Sequence, residues 1–403
     1  MIRHAALTDE GKRRDHNEDA YLASAEDGLF LVADGVGGRA CGEVASALTV
    51  ETFQAAAPRF LLALDAFQRE PGRKTRSAVL ELLSRICNEA SRRVYEEAEA
   101  DGRRGMTTTL VAALVRGGAI FLAHVGDSRA YLLREGELLQ LTDDHSMVNE
   151  LVRTGQMTYD EARRSRYRNV ITRAIGLQPT VQPDVAAVEV LPGDRLVLCS
   201  DGLSDPVPPL EICRLLAGGT PALAAQGLVD EALERGGPDN VTVLVVDPDA
   251  SPQAEAAAAR AEVMSQLFLF ADLPFHARAR VGRLVDELFV TPGDIVVDQG
   301  ERGRAMFVVV QGEVEVLRDG IVLARMGPGD HFGELALVDA QPRSATVRAT
   351  QYGSLIQIDR KALDDFSRRE PELGNRLLWK LMGSISARLR DASTRIADLE
   401  NVQ

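Results

Sequence analysis

The segment GLFLVADGVGG, residues 28–38, brings together two features that conflict in an ordinary strand. Its five apolar residues, Leu29 to Ala33, predict a buried strand, yet a carboxylate follows at once in Asp34. The glycines beyond Asp34 have no side chain that could shield it. Because an unpaired charge in a protein interior destabilises the fold or is neutralised, Asp34 must have a partner of opposite charge.

Composition narrows the class of protein. The chain has 403 residues, of which 45% are hydrophobic and 26% charged, as in globular proteins of two or three domains. A formal net charge of −14 argues against a nucleic-acid partner. No apolar run reaches the length of a membrane span, and the N-terminus lacks the apolar core of a signal peptide. We therefore expect a cytoplasmic protein with reduced cysteines that binds neither nucleic acid nor membrane.

The sequence divides into two blocks. We predict one domain over 1–247, a linker over 248–262 rich in proline and alanine, and a second domain over 263–403. In the first block, apolar strand-like runs alternate with amphipathic helical patterns around 42–66 and 77–99.

The second block has short strands separated by glycines, which is typical of a small β-roll or barrel. The segment VEVLRDGIVLARM predicts a hairpin, because Asp319-Gly320 suits a two-residue turn. A helix over about 372–400 follows.

Further acids flank the strands of the first block. Asp127 and Asp201 follow apolar runs, whereas Asp19 and Asp239 precede them. Since strand starts meet strand ends in antiparallel pairs, these acids and Asp34 could converge on one edge of a sandwich. The alternative is that each is simply a turn residue, a place where aspartate is common.

Converging carboxylates repel one another unless a cation lies among them. Oxygen ligands without histidine or cysteine select Mg²⁺ or Mn²⁺. Two such ions can activate a bridging water towards a phosphate ester, whose charge an arginine helps to neutralise. Arg14, five residues before Asp19, is the candidate, and a solvated basic surface is the alternative.

A family resemblance rests on many motifs in order: RRDHNED, LVADGVGG, HVGDSRAYLLR, LTDDHS, VITRAIG, LVLCSDGLSD and GGPDNVTVLVV. Over roughly 1–247 the chain resembles bacterial metal-dependent protein phosphatases of the protein phosphatase 2C type. The resemblance implies that Arg14 holds the substrate phosphate and that Asp34 bridges two metals, with the carbonyl of Gly35 as a further ligand. The remaining implied metal residues are Asp19, Asp201 and Asp239 for that pair, and Asp127 and Asp205 for a third, weaker ion. The stretch 146–168 resembles the flap beside the cleft.

Two departures from the family pattern concern the surroundings of this site. Thr107 stands where many relatives have the second glycine of their Gly-Met-Gly-Thr-Thr motif. Val36 stands where eukaryotic members carry a histidine proposed as the general acid, which bacterial members also lack. Protonation of the leaving group is therefore expected to come from a water or another side chain.

The second dense signal is HFGELALVDAQPRSATV, residues 331–347. A glycine precedes a short helical run, Glu334 to Val338, whose free N–H groups would face an anion that Arg343 could also reach. The alternative is an ordinary surface helix and a surface arginine.

This segment resembles the phosphate-binding cassette of cyclic-nucleotide-binding domains, and the resemblance covers about 264–390. It implies that Glu334 binds the ribose 2′-hydroxyl, and that the cyclic phosphate is bound by Arg343, Ser344 and the backbone of Gly333, Leu335 and Ala336. The RSA sequence at 343–345 is similar to that of bacterial cyclic-AMP receptors, which favours cyclic AMP over cyclic GMP.

The last helix carries an apolar stripe: Leu378, Leu381, Ile385, Leu389, Ala392, Ile396 and Leu399. It predicts either packing onto the β-roll or a helix that pairs two copies of the chain and covers the nucleotide. The receptors' DNA-reading module is not expected here, since too few residues follow this helix.

The overall prediction is an α+β protein: an antiparallel β-sandwich flanked by helices, followed by a β-roll with flanking helices. Its predicted function is dephosphorylation of serine and threonine in phosphoproteins, using Mn²⁺ or Mg²⁺, under control of a cyclic nucleotide. A Ser/Thr kinase and a second copy of the chain are expected partners. The alternatives are a catalytically weak nucleotide sensor that acts by binding partners, and a phosphatase for small phosphorylated molecules.

Overall fold

The structure is a computed structural model that describes residues 2–36, 41–100, 105–158, 170–249, 285–338 and 341–400 as continuous ranges. It also describes positions 161, 165, 167, 252, 254, 255, 258, 261, 262, 265, 269, 270, 273, 277, 281 and 284, but not the side chains at 73, 153, 391, 392 and 395–400. Part of the predicted flap therefore lies outside the described residues.

The chain divides into two compact units, Met1–Ala258 and Ala259–Gln403. The domain limits given by the sequence, at 247 and 263, stay predictions. Ala254, inside the predicted linker, is buried in a core cluster of the first unit. None of the helices in the described part of the chain is both long enough and apolar enough to cross a bilayer.

The strands of the first unit are β1 (Arg3–Asp9), β2 (Asp19–Ser24), β3 (Leu29–Val36), β4 (Thr107–Thr108), β5 (Leu110–Arg116), β6 (Ala119–Val125), β7 (Arg129–Arg134), β8 (Glu137–Gln140), β9 (Asp184–Glu189), β10 (Arg195–Cys199) and β11 (Val241–Asp247). Its helices are α1 (Gly42–Ala55), α2 (Ala57–Arg69), α3 (Arg73–Ala100), α4 (Met147–Arg153), α5 (Asp201–Ser204), α6 (Pro209–Leu216) and α7 (Pro221–Glu234).

These strands form two antiparallel sheets. One has the order β1-β11-β10-β7-β8, and the other has the order β2-β3-β5-β6-β9 with β4 paired to β3. A buried cluster fills the space between the sheets. Helices α1 to α3 pack on the outer face of the second sheet, and α6 and α7 pack on the outer face of the first. The predicted helix-flanked sandwich is confirmed.

Strand β3 shows why its apolar run is continuous. Leu29, Leu31 and Ala33 point to the core shared with helices α1 to α3. Phe30 and Val32 point to the core between the sheets. Because both faces of the strand are buried, alternation of apolar and polar residues is absent.

The helix predicted over 42–66 is two helices, with a break at Ala56 between α1 and α2. Pro58 lies in the first turn of α2. A proline has no N–H to donate to the preceding turn, so it ends one helix and suits the start of the next. The pattern over 77–99 lies inside α3, as predicted.

The second unit contains strands β12 (Val285–Val290), β13 (Ile295–Val297), β14 (Ala305–Gln311), β15 (Val314–Arg318), β16 (Ile321–Met326), β17 (His331–Phe332), β18 (Thr346–Ala349) and β19 (Gly353–Asp359). Its helices are α8 (Leu335–Val338), α9 (Arg360–Arg369) and α10 (Pro371–Glu400). The sheets have the orders β12-β19-β14-β17 and β13-β18-β15-β16. Strands β15 and β16 form the predicted hairpin, with positive φ angles of 51° at Asp319 and 80° at Gly320.

The sandwich interior allows a test of the first unit. Phe30 is 0% exposed, so Phe30→Ala should lower the free energy of unfolding by about 3–5 kcal/mol, because it removes buried apolar surface and leaves a cavity. Leu62 on α2 is 70% exposed, and Leu62→Ala should cost less than about 0.5 kcal/mol. Urea unfolding followed by circular dichroism measures both, and equal losses would contradict this assignment of the core.

Candidate functional site

Two of the predicted acids meet through strand pairing. Asp19 is the first residue of β2, and Asp34 lies near the end of β3. The antiparallel register places Asp19 directly opposite Asp34. The start of one strand thus meets the end of its neighbour, as the sequence pattern predicts.

The other predicted acids come from both sheets and reach the same place. Asp127 follows β6, Asp201 begins α5 after β10, and Asp239 precedes β11. The charges of all three act on Asp34. The charge of Asp205 acts on both Asp127 and Asp201. The structure therefore brings the predicted metal acids together in one cluster.

Enclosure by protein makes this cluster costly to ionise. Burial, followed by repulsion from the neighbouring aspartates, raises the pKa of Asp34 and of Asp201 well above the ordinary value. Burial also raises the pKa of Asp19 and of Asp127 to about 6. A cation among these carboxylates would remove the repulsion and stabilise their charged forms.

Asp19 is held by a directed series of hydrogen bonds. Its Oδ2 accepts from the hydroxyls of Ser200 at 2.8 Å and Thr242 at 2.6 Å. Because Thr242 donates to the carboxylate, the hydroxyl of Thr8, 2.7 Å away, donates to Thr242 and accepts from the Asn17 amide at 2.8 Å. The buried Oδ1 of Asp19 has no hydrogen-bond partner among the described residues.

The donor set fits hard divalent cations. Clustered carboxylates, an unpartnered buried oxygen and raised pKa values are what such a site shows before an ion neutralises it. Within the described part of the chain, no three aspartate oxygens lie within 4.8 Å of one another; the set that does so is His16, Glu18 and Glu43. The spacing of the aspartates suits ions that keep part of their water shell, as Mg²⁺ usually does.

Arg14 lies beside these acids. Its Nη2 donates to Asp239 Oδ2 at 2.6 Å, and this hydrogen bond is the main reason why the pKa of Arg14 is raised. The charges of Glu18 and Asp34 act in the same direction. The predicted phosphate-binding cation is therefore at the cluster, and about half of its side chain is exposed.

Two threonines next to Thr107 support Asp34 from behind. The backbone N–H of Asp34 donates to Thr109 Oγ1 at 3.1 Å, and the hydroxyl of Thr108 donates to the carbonyl of Asp34 at 2.8 Å. Thr107 pairs with Val36 in the β3–β4 ladder. A threonine in place of the family's glycine is thus compatible with strand pairing at this edge. Sequence reasoning missed Thr108 and Thr109. Their only signal in the sequence was that they follow Thr107, which departs from the family's Gly-Met-Gly-Thr-Thr motif.

Close backbone approach fixes two glycines of the cluster. A Cβ on Gly35 would lie 2.3 Å from the carbonyl of Gly42, and a Cβ on Gly202 would lie 1.9 Å from the carbonyl oxygen of Asn240. Neither neighbour is a flexible side-chain end, so a larger residue would displace backbone next to Asp34 or Asp201.

A partly buried ion pair next to Asp127 was also missed. Arg129 binds Asp144 through a two-pronged contact, with its Nη2 2.6 Å from Oδ2 and its Nε 2.9 Å from Oδ1. Asp144 is the charged neighbour that most raises the pKa of Asp127. Only the motifs GDSR and LTDDHS pointed to this pair, and neither reveals that its members meet.

In the second unit, the predicted nucleotide residues surround one turn of chain. Gly333 has a φ of 78°, and Glu334 behind it is buried. Glu334 Oε1 accepts from Arg388 Nη1 at 2.8 Å, whereas its buried Oε2 has no hydrogen-bond partner among the described residues. Arg388 also donates to the carbonyl of His331. Sequence reasoning missed Arg388, which belongs to helix α10.

Arg343 contacts Gly333 directly. Its Nη1 donates to the Gly333 carbonyl at 3.2 Å and its Nη2 to the Ala305 carbonyl at 2.6 Å. Burial lowers the pKa of Arg343. Of the other predicted contacts, Ala336 is buried, whereas Leu335 and Ser344 are exposed.

The apolar stripe of α10 does not face one partner. Leu381 is buried in the core of its own unit, whereas Leu378 and Leu389 are exposed. The side chains at 392, 396 and 399 are not among those that the structure describes. Packing onto the β-roll, one of the two alternatives, therefore accounts for Leu381 but not for Leu378 and Leu389.

Comparisons with known proteins agree with both units. The family model for protein phosphatase 2C matches residues 10–235, and the model for the cyclic nucleotide-binding domain matches residues 287–370. The serine/threonine protein phosphatase PstP of Mycobacterium tuberculosis is 43% identical over 247 residues, which are 61% of this chain and 45% of PstP. The serine/threonine phosphatase stp of Listeria monocytogenes is 37% identical over 60% of this chain and 94% of its own length.

Solved structures give the same result for the first unit. The crystal structure of M. tuberculosis PstP/Ppp has a TM-score of 0.55 and 39% identity, covering 62% of this chain and 99% of that chain. The PstP catalytic domain in complex with two manganese ions has a TM-score of 0.53 and 40% identity, with the same coverage. This chain spans about half the length of mycobacterial PstP. The protein phosphatase 2C model alone matches more than half of this chain, which therefore belongs to the protein phosphatase 2C family.

Proposed function

We propose that the chain hydrolyses phosphoserine and phosphothreonine in proteins, with Mn²⁺ or Mg²⁺, and that a cyclic nucleotide bound to its second unit regulates this activity. The observation that carries the first part is the cluster of aspartates whose pKa values are raised by burial and by one another. Such a cluster is stable in its charged form only around cations.

Asp34 would hold two ions, with the Gly35 carbonyl beside it. Asp19, Asp201 and Asp239 would complete their surroundings, and Asp127 and Asp205 would hold a third ion. When bound, the ions supply Lewis-acid activation of a water and neutralise negative charge at the phosphate.

Arg14 is proposed to bind the substrate phosphate. Its contact with Asp239 holds the guanidinium at the edge of the cluster, and its half-exposed side chain can turn to a phosphate. A guanidinium presents paired donors that match phosphate oxygens, which makes arginine suited to this role.

A catalytically weak sensor would be expected to lack one of the aspartates that are proposed to bind metal. Each of the predicted acids is present and lies in the cluster, so the structure favours catalysis over this alternative. A phosphatase for small phosphorylated molecules would use the same centre, and substrate comparison separates the two.

The regulatory part of the proposal rests on Glu334 and Arg343. A buried carboxylate oxygen without a partner lies one residue from the turn that Arg343 contacts, and this combination suits a ligand with a hydroxyl and an anionic group. Cyclic AMP is the nucleotide we propose, on the strength of the RSA sequence at 343–345.

Further proposals concern partners and location. Leu378, Met382 and Leu389 are exposed on α10 at spacings of four and seven residues, which suits pairing of two such helices. We propose a homodimer through this helix, a Ser/Thr kinase as a partner whose products the enzyme dephosphorylates, and a cytoplasmic location.

Removal of a metal acid tests the catalytic proposal. Asp34→Asn and Asp201→Asn should abolish phosphopeptide turnover, because each removes charge that concentrates the ions. In metal-free buffer their melting temperatures should not fall, since the replaced carboxylates are partly buried and mutually repelling. Asp143, the exposed neighbour of Asp144, gives the matched control Asp143→Asn, which should stay active. Turnover by either cluster variant, or by the wild type in chelator, would rule out the metal mechanism.

Arg343→Ala tests the nucleotide site. Loss of one partly buried charge-assisted contact should weaken cyclic AMP binding by about 2–5 kcal/mol, measured by titration calorimetry. Arg325 on β16 is exposed at the surface, so Arg325→Ala is the matched control and should bind as the wild type does. Equal affinity of the two variants would show that Arg343 is not the phosphate ligand.

Regulation is tested on the full-length chain with several phosphoproteins. Saturating cyclic AMP should change kcat/KM by about 5- to 150-fold, which corresponds to a coupling of about 1–3 kcal/mol. The chain ended after Ala258, at the boundary between the two units, should hydrolyse the same substrates without responding. A full-length enzyme with identical kinetics in the absence and presence of cyclic AMP and cyclic GMP would contradict the regulatory role.

A further inference from the structure

The proposed reaction has a proton to account for. The oxygen that leaves phosphorus belongs to a serine or threonine, and its alkoxide is a poor leaving group unless it is protonated as the bond breaks. Val36, 39% exposed at the end of β3, carries no proton that it could donate. The aspartates of the cluster are committed to cations in the proposed function, which leaves a water or another side chain as the donor.

His16 reaches this part of the site from the loop between β1 and β2. Its Nε2 lies 3.3 Å from Glu18 Oε1. One ring nitrogen of His16 and one carboxylate oxygen each of Glu18 and Glu43 lie within 4.8 Å of one another. The carboxylate of Glu18 is next to Gly42, because a Cβ there would meet it at 2.9 Å and the Gly35 carbonyl at 2.8 Å. The imidazole is therefore near the residues that precede Val36.

Glu18 also ties His16 to the proposed phosphate-binding group. The backbone carbonyl of Glu18 accepts from the N–H of Gly35 at 3.2 Å, which anchors the loop on β3. The charge of Glu18 also acts on Arg14, so one carboxylate interacts with both the imidazole and the guanidinium. A phosphate held by Arg14 would have its ester oxygen within the reach of a neighbouring side chain.

The contacts of His16 leave one nitrogen for a substrate. Glu18 and Glu43 lie near the imidazole, and the charge of Glu18 also acts on Arg14. Nε2 is the nitrogen that approaches Glu18, whereas Nδ1 has no hydrogen-bond partner in the described part of the chain, and the side chain is 59% exposed. Such a ring is oriented by its carboxylates and open to solvent on its other edge.

We propose that His16 is the general acid of the reaction and gives the proton on its Nδ1 to the serine or threonine oxygen of the substrate. This inference rests on the proposed phosphatase function. As a water oxygen bonds to phosphorus, the bond from phosphorus to the ester oxygen breaks, and that oxygen keeps the electron pair and takes the proton of the imidazolium. The attacking water releases one proton to solvent and the imidazole takes one up, so phosphate and alcohol leave and the imidazolium is restored.

The test compares leaving groups that differ in their need for a proton. In His16→Gln, kcat for a phosphothreonine peptide should fall by about 10²-fold or more, the size of a general-acid contribution. Hydrolysis of p-nitrophenyl phosphate should change by no more than about twofold, because its leaving group departs without protonation.

Two further variants sharpen the result. His4→Gln alters a histidine of β1 away from the cluster and is the matched control, which should keep both activities. In the His16→Gln background, Val36→His returns an imidazole to the end of β3 and should restore part of the peptide turnover. Titration calorimetry with Mn²⁺ verifies that each variant still binds metal as the wild type does.

Several results would overturn the proposal. Equal losses on both substrates, together with weaker Mn²⁺ binding, would make His16, Glu18 and Glu43 a cation site instead. Unchanged peptide turnover in His16→Gln, with Asp34→Asn inactive, would remove the acid role and leave the phosphatase function standing. A wild-type protein that hydrolyses neither substrate would overturn both.

Discussion

Repulsion among carboxylates at one edge of the sandwich is the constraint on which the first unit depends. Asp19 and Asp34 belong to one sheet, whereas Asp201 and Asp239 flank strands of the other. Two apolar cores, one between the sheets and one under α1 to α3, fix the strands that carry these charges. The packing supplies the free energy that holds the acids together in the absence of a cation, and the raised pKa values record the opposing cost.

The second unit also holds polar groups that are buried without full hydrogen bonding, but it has fewer of them. Glu334 is buried with one oxygen paired to Arg388 and the other without a partner. Arg343 donates two hydrogen bonds to backbone carbonyls, so its guanidinium is oriented before any anion binds. In both units, therefore, the polar groups proposed to bind ligands are fixed by the fold and incompletely satisfied by it.

Much of the fold and of the acid cluster could be predicted because short sequence patterns determine the strands and turns involved. The run before Asp34 and the acids beside other apolar runs predict strands whose ends carry charge, and antiparallel pairing then brings the ends together. The Asp319-Gly320 turn is equally local. The break at Ala56 was missed because apolar spacing continues across it, although Pro58 marks the place.

The residues that sequence reasoning missed make contacts across long stretches of chain. Thr109 bonds to Asp34 over 75 residues, and Arg388 bonds to Glu334 over 54. A threonine or an arginine in such a segment has nothing in its neighbours that identifies its partner. Only the tertiary structure decides which of many similar side chains meets the site.

The hydrogen bonds of the hydroxyl series that ends at Asp19 all run in one direction. Donation runs from Asn17 through Thr8 and Thr242 to the carboxylate, so the group at position 19 must accept on that side. A carboxylate has two equal ends and meets this demand in either orientation, whereas an amide would have to turn its nitrogen towards the neighbouring acids. In that position the amide would satisfy those acids as a donor and would occupy the place of a cation. Asparagine at position 19 would therefore reduce the repulsion among the acids and would weaken cation binding. The hydrogen bonds around position 19 thus favour an acid by their geometry as well as by its charge.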